Sequence, residues 1–142
     1  MTPEQVAKSG SEHAEQSALF CWSHLQETKE HYPELDTELL FAIPNGGARG
    51  DSAKSRAIRG GQLKAEGVKD GVPDMFLSVA RGGYFGMYIE MKVKNNKPSR
   101  AQLKFKDSAT SRNYLWVCCY SWQEARDNLI KYSRLPYTQV MR

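Results

Sequence analysis

The sequence contains few of the residues that build disulfide-stabilised or zinc-bound proteins. Its 142 residues include three cysteines, an odd number, and two of these, Cys118 and Cys119, are adjacent in an apolar run. This pattern indicates reduced, buried thiols rather than a disulfide framework. The sequence has no Cys-x-x-Cys, and its three histidines lack zinc-ligand spacing, which argues against a zinc site.

Long apolar stretches are missing as well. No run approaches the ~20 residues needed to cross a bilayer, and the polar N-terminal segment lacks the basic and apolar regions of a signal peptide. We therefore expect a cytoplasmic protein without a membrane partner. An apolar content of 40% and a charged content of 25% are ordinary for a globular protein, and the length predicts a single domain over residues 1–142.

Basic residues are scarce at the start of the chain and concentrated later. Residues 1–38 carry two Lys/Arg against eight Asp/Glu. Residues 92–112 reverse that balance with seven Lys/Arg, namely Lys92, Lys94, Lys97, Arg100, Lys104, Lys106 and Arg112. Such asymmetry favours a surface that binds a polyanion, although a solvated helix face is an equally ordinary interpretation of the same pattern.

Apolar periodicity and helix-capping residues predict the order α-β-α-β-β-α-β-α. Helices are expected at residues 11 to about 30, within 53–66, from Ser99 onward and from Ser121 onward, and strands at 39–44, 73–79, 86–93 and 113–120. Ser99 with Gln102, and Ser121 with Glu124, form capping-box patterns. A loose tail is expected from Pro136. A hairpin flanked by helical crossovers implies an α/β fold, with a mixed sheet and helices on both sides.

Three charged residues stand out in the predicted hairpin "GVPDMFLSVARGGYFGMYIEMKV" (71–93). If the turn centres on Gly82, then Asp74 faces Glu90, and the two-residue period of a strand places Lys92 on the same face. Two facing carboxylates repel each other unless a cation lies between them, and Mg²⁺ prefers such oxygen ligands. A neighbouring lysine could orient metal-bound water for attack on a phosphodiester. A solvent-side ion pair is the simpler interpretation of Glu-x-Lys alone.

The chain resembles PD-(D/E)XK nucleases in Pro73-Asp74 followed by Glu90-Met91-Lys92. It resembles more closely the virus-type replication-repair nuclease (VRR-NUC) domain, found in phage and bacterial proteins and in a eukaryotic DNA-repair nuclease. The matching segments are "SEHAEQ", "AIPNGG", "LKAEGVKDGVPDMFL", "GMYIEMK", "PSRAQ" and "NYLWVCC" followed by "SWQEAR". They run in order from residue 11 to about 132, which is the expected core of the domain.

The resemblance implies a restriction-endonuclease-like fold and a bound Mg²⁺, or Mn²⁺ as its substitute. Asp74, Glu90 and the Met91 carbonyl would hold the metal, and Lys92 would position the attacking water. Gln102 matches a position near the metal in related nucleases, although the capping box by itself accounts for a glutamine there.

The resemblance also implies a glutamate from the first helix. Glu12 is assigned this role because it shares a helix face with Gln16, and Glu15 is the alternative. An acid in a first helical turn is also simply favoured by the helix dipole.

DNA contacts are expected at the loop "NGGARGD" and in the basic stretch. The residues concerned are Asn45, Gly46, Gly47, Arg49, Lys94, Lys97 and Arg100.

Freestanding members of the family resemble Holliday-junction resolvases. The resemblance therefore implies a homodimeric, structure-selective DNA endonuclease that cuts branched or four-way junctions, in a bacterial or phage-infected host cell. The alternatives are a monomeric flap or nicking nuclease and a non-catalytic DNA-binding subunit with the same fold.

Overall fold

The computed structural model describes residues 1–44 and 53–142. Its helices are α1 (Pro3–Val6), α2 (Glu12–Ser23), α3 (Gln26–His31), α4 (Ala53–Ala65), α5 (Arg100–Thr110) and α6 (Trp122–Ser133). Its strands are β1 (Leu40–Ala42), β2 (Met75–Leu77), β3 (Met87–Met91) and β4 (Leu115–Cys119). The α/β fold class is confirmed, and so is the predicted order of elements from β1 onward, whereas α1, α2 and α3 precede β1 where a single helix is predicted.

The four strands form one mixed sheet in the order β1-β2-β3-β4. β1, β2 and β3 pair antiparallel, whereas β4 runs parallel to β3 after the crossover through α5. One face of the two central strands, β2 and β3, is fully buried. It carries Met75, Leu77, Met87, Ile89 and Met91, each no more than 1% exposed. This alternation is the pattern that the two-residue strand period predicts.

Helices cover both faces of this sheet. α2 and α6 pack on the buried face through Ala18, Leu19, Trp22, Trp122, Ala125 and Leu129, which share one hydrophobic cluster with the strands. α5 lies on the opposite face, where the Phe105 ring contacts the Tyr88 ring edge-on at 5.0 Å between centroids. Glu90, a predicted site residue of β3, therefore lies on the side of α5.

The first predicted helix is interrupted. A single helix over residues 11 to about 30 is wrong, because Leu25 is extended (φ −65°, ψ 138°) and separates α2 from α3. The break lets the chain fold back on itself: the Tyr32 ring lies 6.1 Å from that of Trp22, and Leu35 is completely buried in the core. The gain in buried apolar surface outweighs the helix propensity of the segment.

The chain end is also more ordered than expected. The loose tail predicted from Pro136 is wrong at its start, because Gly82 N–H donates to the Pro136 carbonyl at 2.6 Å. The Arg81 guanidinium lies over the Tyr137 ring at 4.0 Å, and the Thr138 hydroxyl donates to the Tyr84 carbonyl at 2.8 Å. These contacts attach the tail to the β2–β3 turn.

Both predicted capping serines are N-caps. At α5 the capping box is complete, since Ser99 and Gln102 bond each other reciprocally. At α6 the Ser121 hydroxyl accepts from Glu124 N–H, but the Glu124 carboxylate accepts from Tyr120 N–H at 3.1 Å, one residue before the expected donor. The predicted box at α6 is therefore only half formed.

Candidate active site

The hairpin register brings Asp74 and Glu90 together as the sequence predicts. Met75 pairs with Ile89 and Leu77 with Met87. The same register, continued to the residue just before β2, places Asp74 across from Glu90. The Asp74 Oδ2 atom accepts a 2.7 Å hydrogen bond from Met91 N–H. The turn that sets this register contains Gly82 at φ +62°, a left-handed conformation that favours glycine.

Glu90 is a buried carboxylate with one oxygen bonded and one without a partner. Its side chain is 3% exposed, and its Oε1 lies 3.8 Å from Lys92 Nζ. The Gln102 Nε2 group donates to the same oxygen at 2.6 Å. Oε2 is buried and has no hydrogen-bond partner among the described residues. Burial and the negative charge of Asp74 raise the pKa of Glu90 to about 8, against the opposing effect of Lys92.

Gln102 performs both of the roles that its position in the sequence allows. Its Oε1 accepts from Ser99 N–H at 2.7 Å, which caps α5, while its Nε2 donates to Glu90. An amide carries an acceptor and a donor at opposite corners, so one bond does not exclude the other. The first turn of α5 is thereby attached to the carboxylate at the end of β3.

Gly71 permits this approach of α5. It has φ +87°, and a Cβ atom at this position would overlap the backbone carbonyl of Ala101. The segment that leads to Asp74 therefore lies directly against the residue before Gln102. A side chain at position 71 would push the two apart.

The two glutamates of α2 have different surroundings. Glu12 lines the same cleft as Asp74 and Glu90, and its charge contributes to the raised pKa of Glu90. Glu15 instead accepts a hydrogen bond from the backbone of Trp122 at the start of α6. Burial raises the pKa of Glu15, and that hydrogen bond partly lowers it. The structure thus brings Glu12, and not Glu15, to the hairpin carboxylates.

These side chains surround a cleft of about 430 Å³. Besides the predicted residues, it is lined by His13, Gln16, Ala42, Ile43 and Pro44. His13 was not predicted as a site residue. In the sequence, His13 is marked only by its position on the same helix face as Glu12 and Gln16. The docking of α2 beside the hairpin is what shows that this face lines the cleft.

The predicted DNA contacts fall into two groups. Lys94, Lys97 and Arg100 are exposed on the segment that leads from β3 to the start of α5. Lys94 has φ +55°, an uncommon conformation for a residue with a side chain. Asn45, Gly46, Gly47 and Arg49 lie outside the described residues.

The donor set of the cleft fits a hard divalent cation. Within the described ranges, no group of three or more His, Cys, Asp and Glu side chains is arranged to hold a metal ion. The candidate ligands are instead two carboxylates, Asp74 and Glu90, and the main-chain carbonyl of Met91. Mg²⁺ commonly binds proteins through one or two carboxylates and keeps several waters. The buried Glu90 Oε2 without a partner is the atom that a cation would satisfy.

In the described part of the chain, none of the helices is both long and apolar enough to cross a bilayer.

Comparison with known proteins identifies the family. A solved structure described as "VRR_NUC domain protein" shares this fold with a TM-score of 0.70 and 21% sequence identity, covering 92% of this chain and 97% of that chain. At that identity the likeness concerns the fold alone. No curated protein matches the sequence. The family model of the VRR-NUC domain matches residues 10–123. The chain therefore belongs to the VRR-NUC domain family, whose members are generally nucleases.

Proposed function

We propose that the protein is a Mg²⁺-dependent endonuclease that hydrolyses DNA phosphodiester bonds in this cleft. The observation that carries the proposal is the buried Glu90, held opposite Asp74, with one oxygen lacking a partner and Lys92 3.8 Å from the other. A purely structural hairpin gains nothing from placing a second carboxyl group opposite the buried Glu90, because like charges at short range disfavour joint ionisation.

Each residue has a separate task in this proposal. Asp74, Glu90 and the Met91 carbonyl hold Mg²⁺, or Mn²⁺ in its place. When bound, the ion makes water more acidic and neutralises charge on the phosphate. Lys92 orients the attacking water and places a positive charge beside the phosphate. In the reaction, the water oxygen bonds to phosphorus while a phosphorus–oxygen bond of the DNA backbone breaks.

Gln102 and Glu12 have supporting tasks. The Gln102 amide fixes the orientation of the Glu90 carboxylate through its 2.6 Å hydrogen bond. Glu12 adds a third carboxylate to the wall of the cleft, where it would increase the attraction of the site for a cation. Both residues act on groups of the site rather than on the scissile bond itself.

DNA binding is proposed to depend on phosphate contacts. Lys94, Lys97 and Arg100 are exposed, and in the sequence they lie between Lys92 and Gln102, which line the cleft. In the sequence, the cleft residue Pro44 is followed by Asn45, Gly46, Gly47 and Arg49. Contacts of this kind recognise DNA shape rather than base sequence and weaken steeply with salt.

The proposed substrate is branched DNA, and a four-way junction above all, cut by a homodimer. This part rests on the likeness to freestanding members of the family, and it fits the match between a two-fold dimer and a junction of roughly two-fold symmetry. A monomer that cuts flaps or single nicks is the alternative.

Cleavage of a labelled four-way junction with Mg²⁺ tests the proposal. We expect paired nicks from the wild-type protein, and binding without cleavage from Asp74→Ala. Asp70→Ala is the matched control, because Asp70 lies four residues away and its carboxylate is 78% exposed beside Lys64. Absence of cleavage on branched and linear DNA with either metal would leave a non-catalytic DNA-binding subunit. A monomeric molar mass in solution would favour the flap or nicking nuclease.

A further inference from the structure

A row of aromatic residues crosses the sheet beside the catalytic residues. Phe41 pairs with Phe76, Phe76 with Tyr88, and Tyr88 with Trp116, so each strand contributes one member. The ring centroids lie 5.9 Å apart for Phe41 and Phe76, and 4.5 Å apart for Phe76 and Tyr88. We name these four residues the aromatic row.

The aromatic row lies on the face of the sheet that carries the site. Phe76 and Tyr88 are two residues from Asp74 and Glu90 along their strands, and residues two apart point to the same face. At a rise of about 3.3 Å per residue, the aromatic row and the pair Asp74 and Glu90 are about 7 Å apart. This distance is comparable with the length of one nucleotide in a DNA strand.

The two halves of the aromatic row differ in how far the described residues cover them. At the β3–β4 end, the Phe105 ring contacts Tyr88 and the Lys106 amine lies 5.0 Å from the centre of the Trp116 ring. At the β1 end, Phe41 is 45% exposed and Phe76 is half-buried. Edge strands of soluble proteins usually carry polar or charged residues at such positions. An exposed phenylalanine there, packed edge-on against a second one at an interplanar angle of 70°, leaves an open aromatic surface two residues along the strands from the carboxylates.

We propose that Phe41 and Phe76 form a stacking surface for an unpaired DNA base adjacent to the phosphodiester that is cut. The inference rests on the proposed function and adds a substrate preference to it, namely DNA with single-stranded character at the cut. The position supports a base, because the ~7 Å between these rings and the carboxylates matches the spacing from a phosphate near Lys92 to the next nucleotide. Base–aromatic stacking tolerates any sequence, since every base has a π-face.

Binding measurements without cleavage test this inference. The background is Asp74→Ala, and the ligands are a fully paired duplex and the same duplex with a short single-stranded tail. In that background, Phe41→Ala should weaken binding of the tailed DNA by about 5- to 150-fold, the usual range for loss of one stacked base, and leave the paired duplex unchanged. Phe41→Trp should restore binding, because it keeps an aromatic face.

Two further variants separate stacking from apolar contact and from folding. Phe41→Leu keeps an apolar side chain without a π-face and should bind the tailed DNA as weakly as Phe41→Ala. Leu39→Ala removes another exposed apolar side chain of the same sheet edge, 40% exposed, and should change neither ligand. Thermal unfolding of each variant verifies that it is folded.

Three results would overturn the inference. These are unchanged binding of tailed DNA by Phe41→Ala, an equal loss for tailed and paired DNA, and a change of molar mass that identifies the surface as a contact between two copies. None of them bears on whether the wild-type protein cleaves DNA. Conversely, a protein that binds tailed DNA through Phe41 but never cleaves it would contradict the proposed function and leave the stacking surface intact.

Discussion

Replacing Glu90 by glutamine should remove a specific pH dependence of stability. Burial and the charge of Asp74 raise the pKa of Glu90 from 4.5 to about 8 in the folded, metal-free protein. Between these two values the folded state keeps a proton that the unfolded chain releases. The contribution of Glu90 to the free energy of unfolding is therefore complete below pH 4.5 and is lost as the pH rises through about 8. Glu90→Gln keeps the size and the acceptor oxygen but does not titrate.

The size of the effect follows from the shift. One pKa unit corresponds to ~1.4 kcal/mol, so a carboxyl with this shift accounts for about 4 kcal/mol between about pH 5 and about pH 8. Urea unfolding of the metal-free protein at a series of pH values measures it. We expect the free energy of unfolding of the wild-type protein to fall by a few kcal/mol more than that of Glu90→Gln over this range. Parallel pH profiles for the two proteins would refute the reasoning.

Adding Mg²⁺ should oppose the loss of wild-type stability as the pH rises. A cation competes with the proton for Glu90, so Mg²⁺ binding should strengthen as the pH rises and should release protons. Calorimetry in two buffers of different ionisation enthalpy counts those protons. Glu90→Gln should bind Mg²⁺ weakly, with little proton release. Strong, pH-independent Mg²⁺ binding by this variant would place the metal elsewhere.

Three further tests by substitution examine how the site is positioned. Gln102→Glu keeps the capping box of α5 but replaces the amide donor with a carboxylate. The melting temperature should therefore change little, while the pH for half-maximal Mg²⁺ binding should rise. A lower melting temperature with an unchanged pH profile would contradict this. Gly71→Ala should lower both stability and cleavage because its Cβ overlaps Ala101, whereas Gly61→Ala in α4 has open space around it and should be neutral or slightly stabilising in the same melts. Glu12→Ala should reduce cleavage with little effect on melting, and Glu15→Ala should do the opposite; equal cleavage losses in both would argue against their different placement.

The hairpin was predictable because its determinants are local. The strict alternation of apolar residues fixes which side chains face the core, and the glycine-centred turn fixes which residues are opposite. Together they give the register that places Asp74 across from Glu90. Shifting the register by a single residue would have turned the apolar side chains of one strand, such as Met75 and Leu77 of β2, out of the core. The sequence thus contains two independent constraints on the same pair.

Features that depend on distant contacts were not predictable in the same way. The break at Leu25 follows no glycine or proline, and it is explained by the packing of Tyr32 on Trp22 after the chain reverses. The order at Pro136 depends on a hydrogen bond from Gly82, 54 residues earlier. His13 reaches the cleft only because α2 is docked against the sheet. In each case the partner is remote in sequence, and local propensity carries no information about it.

Gln102 shows why a structural and a functional interpretation of one residue need not compete. Judged by its local sequence pattern, the capping box accounts for this glutamine, and only the family resemblance places it near the metal site. In the folded chain its oxygen caps α5 and its nitrogen donates to Glu90. Glutamate, the other common residue at this capping position, would supply the oxygen but not the donor. Glutamine and glutamate would cap α5 equally well, but only glutamine can also donate a hydrogen bond to Glu90. The helix in turn holds the Gln102 amide against the Glu90 carboxyl group.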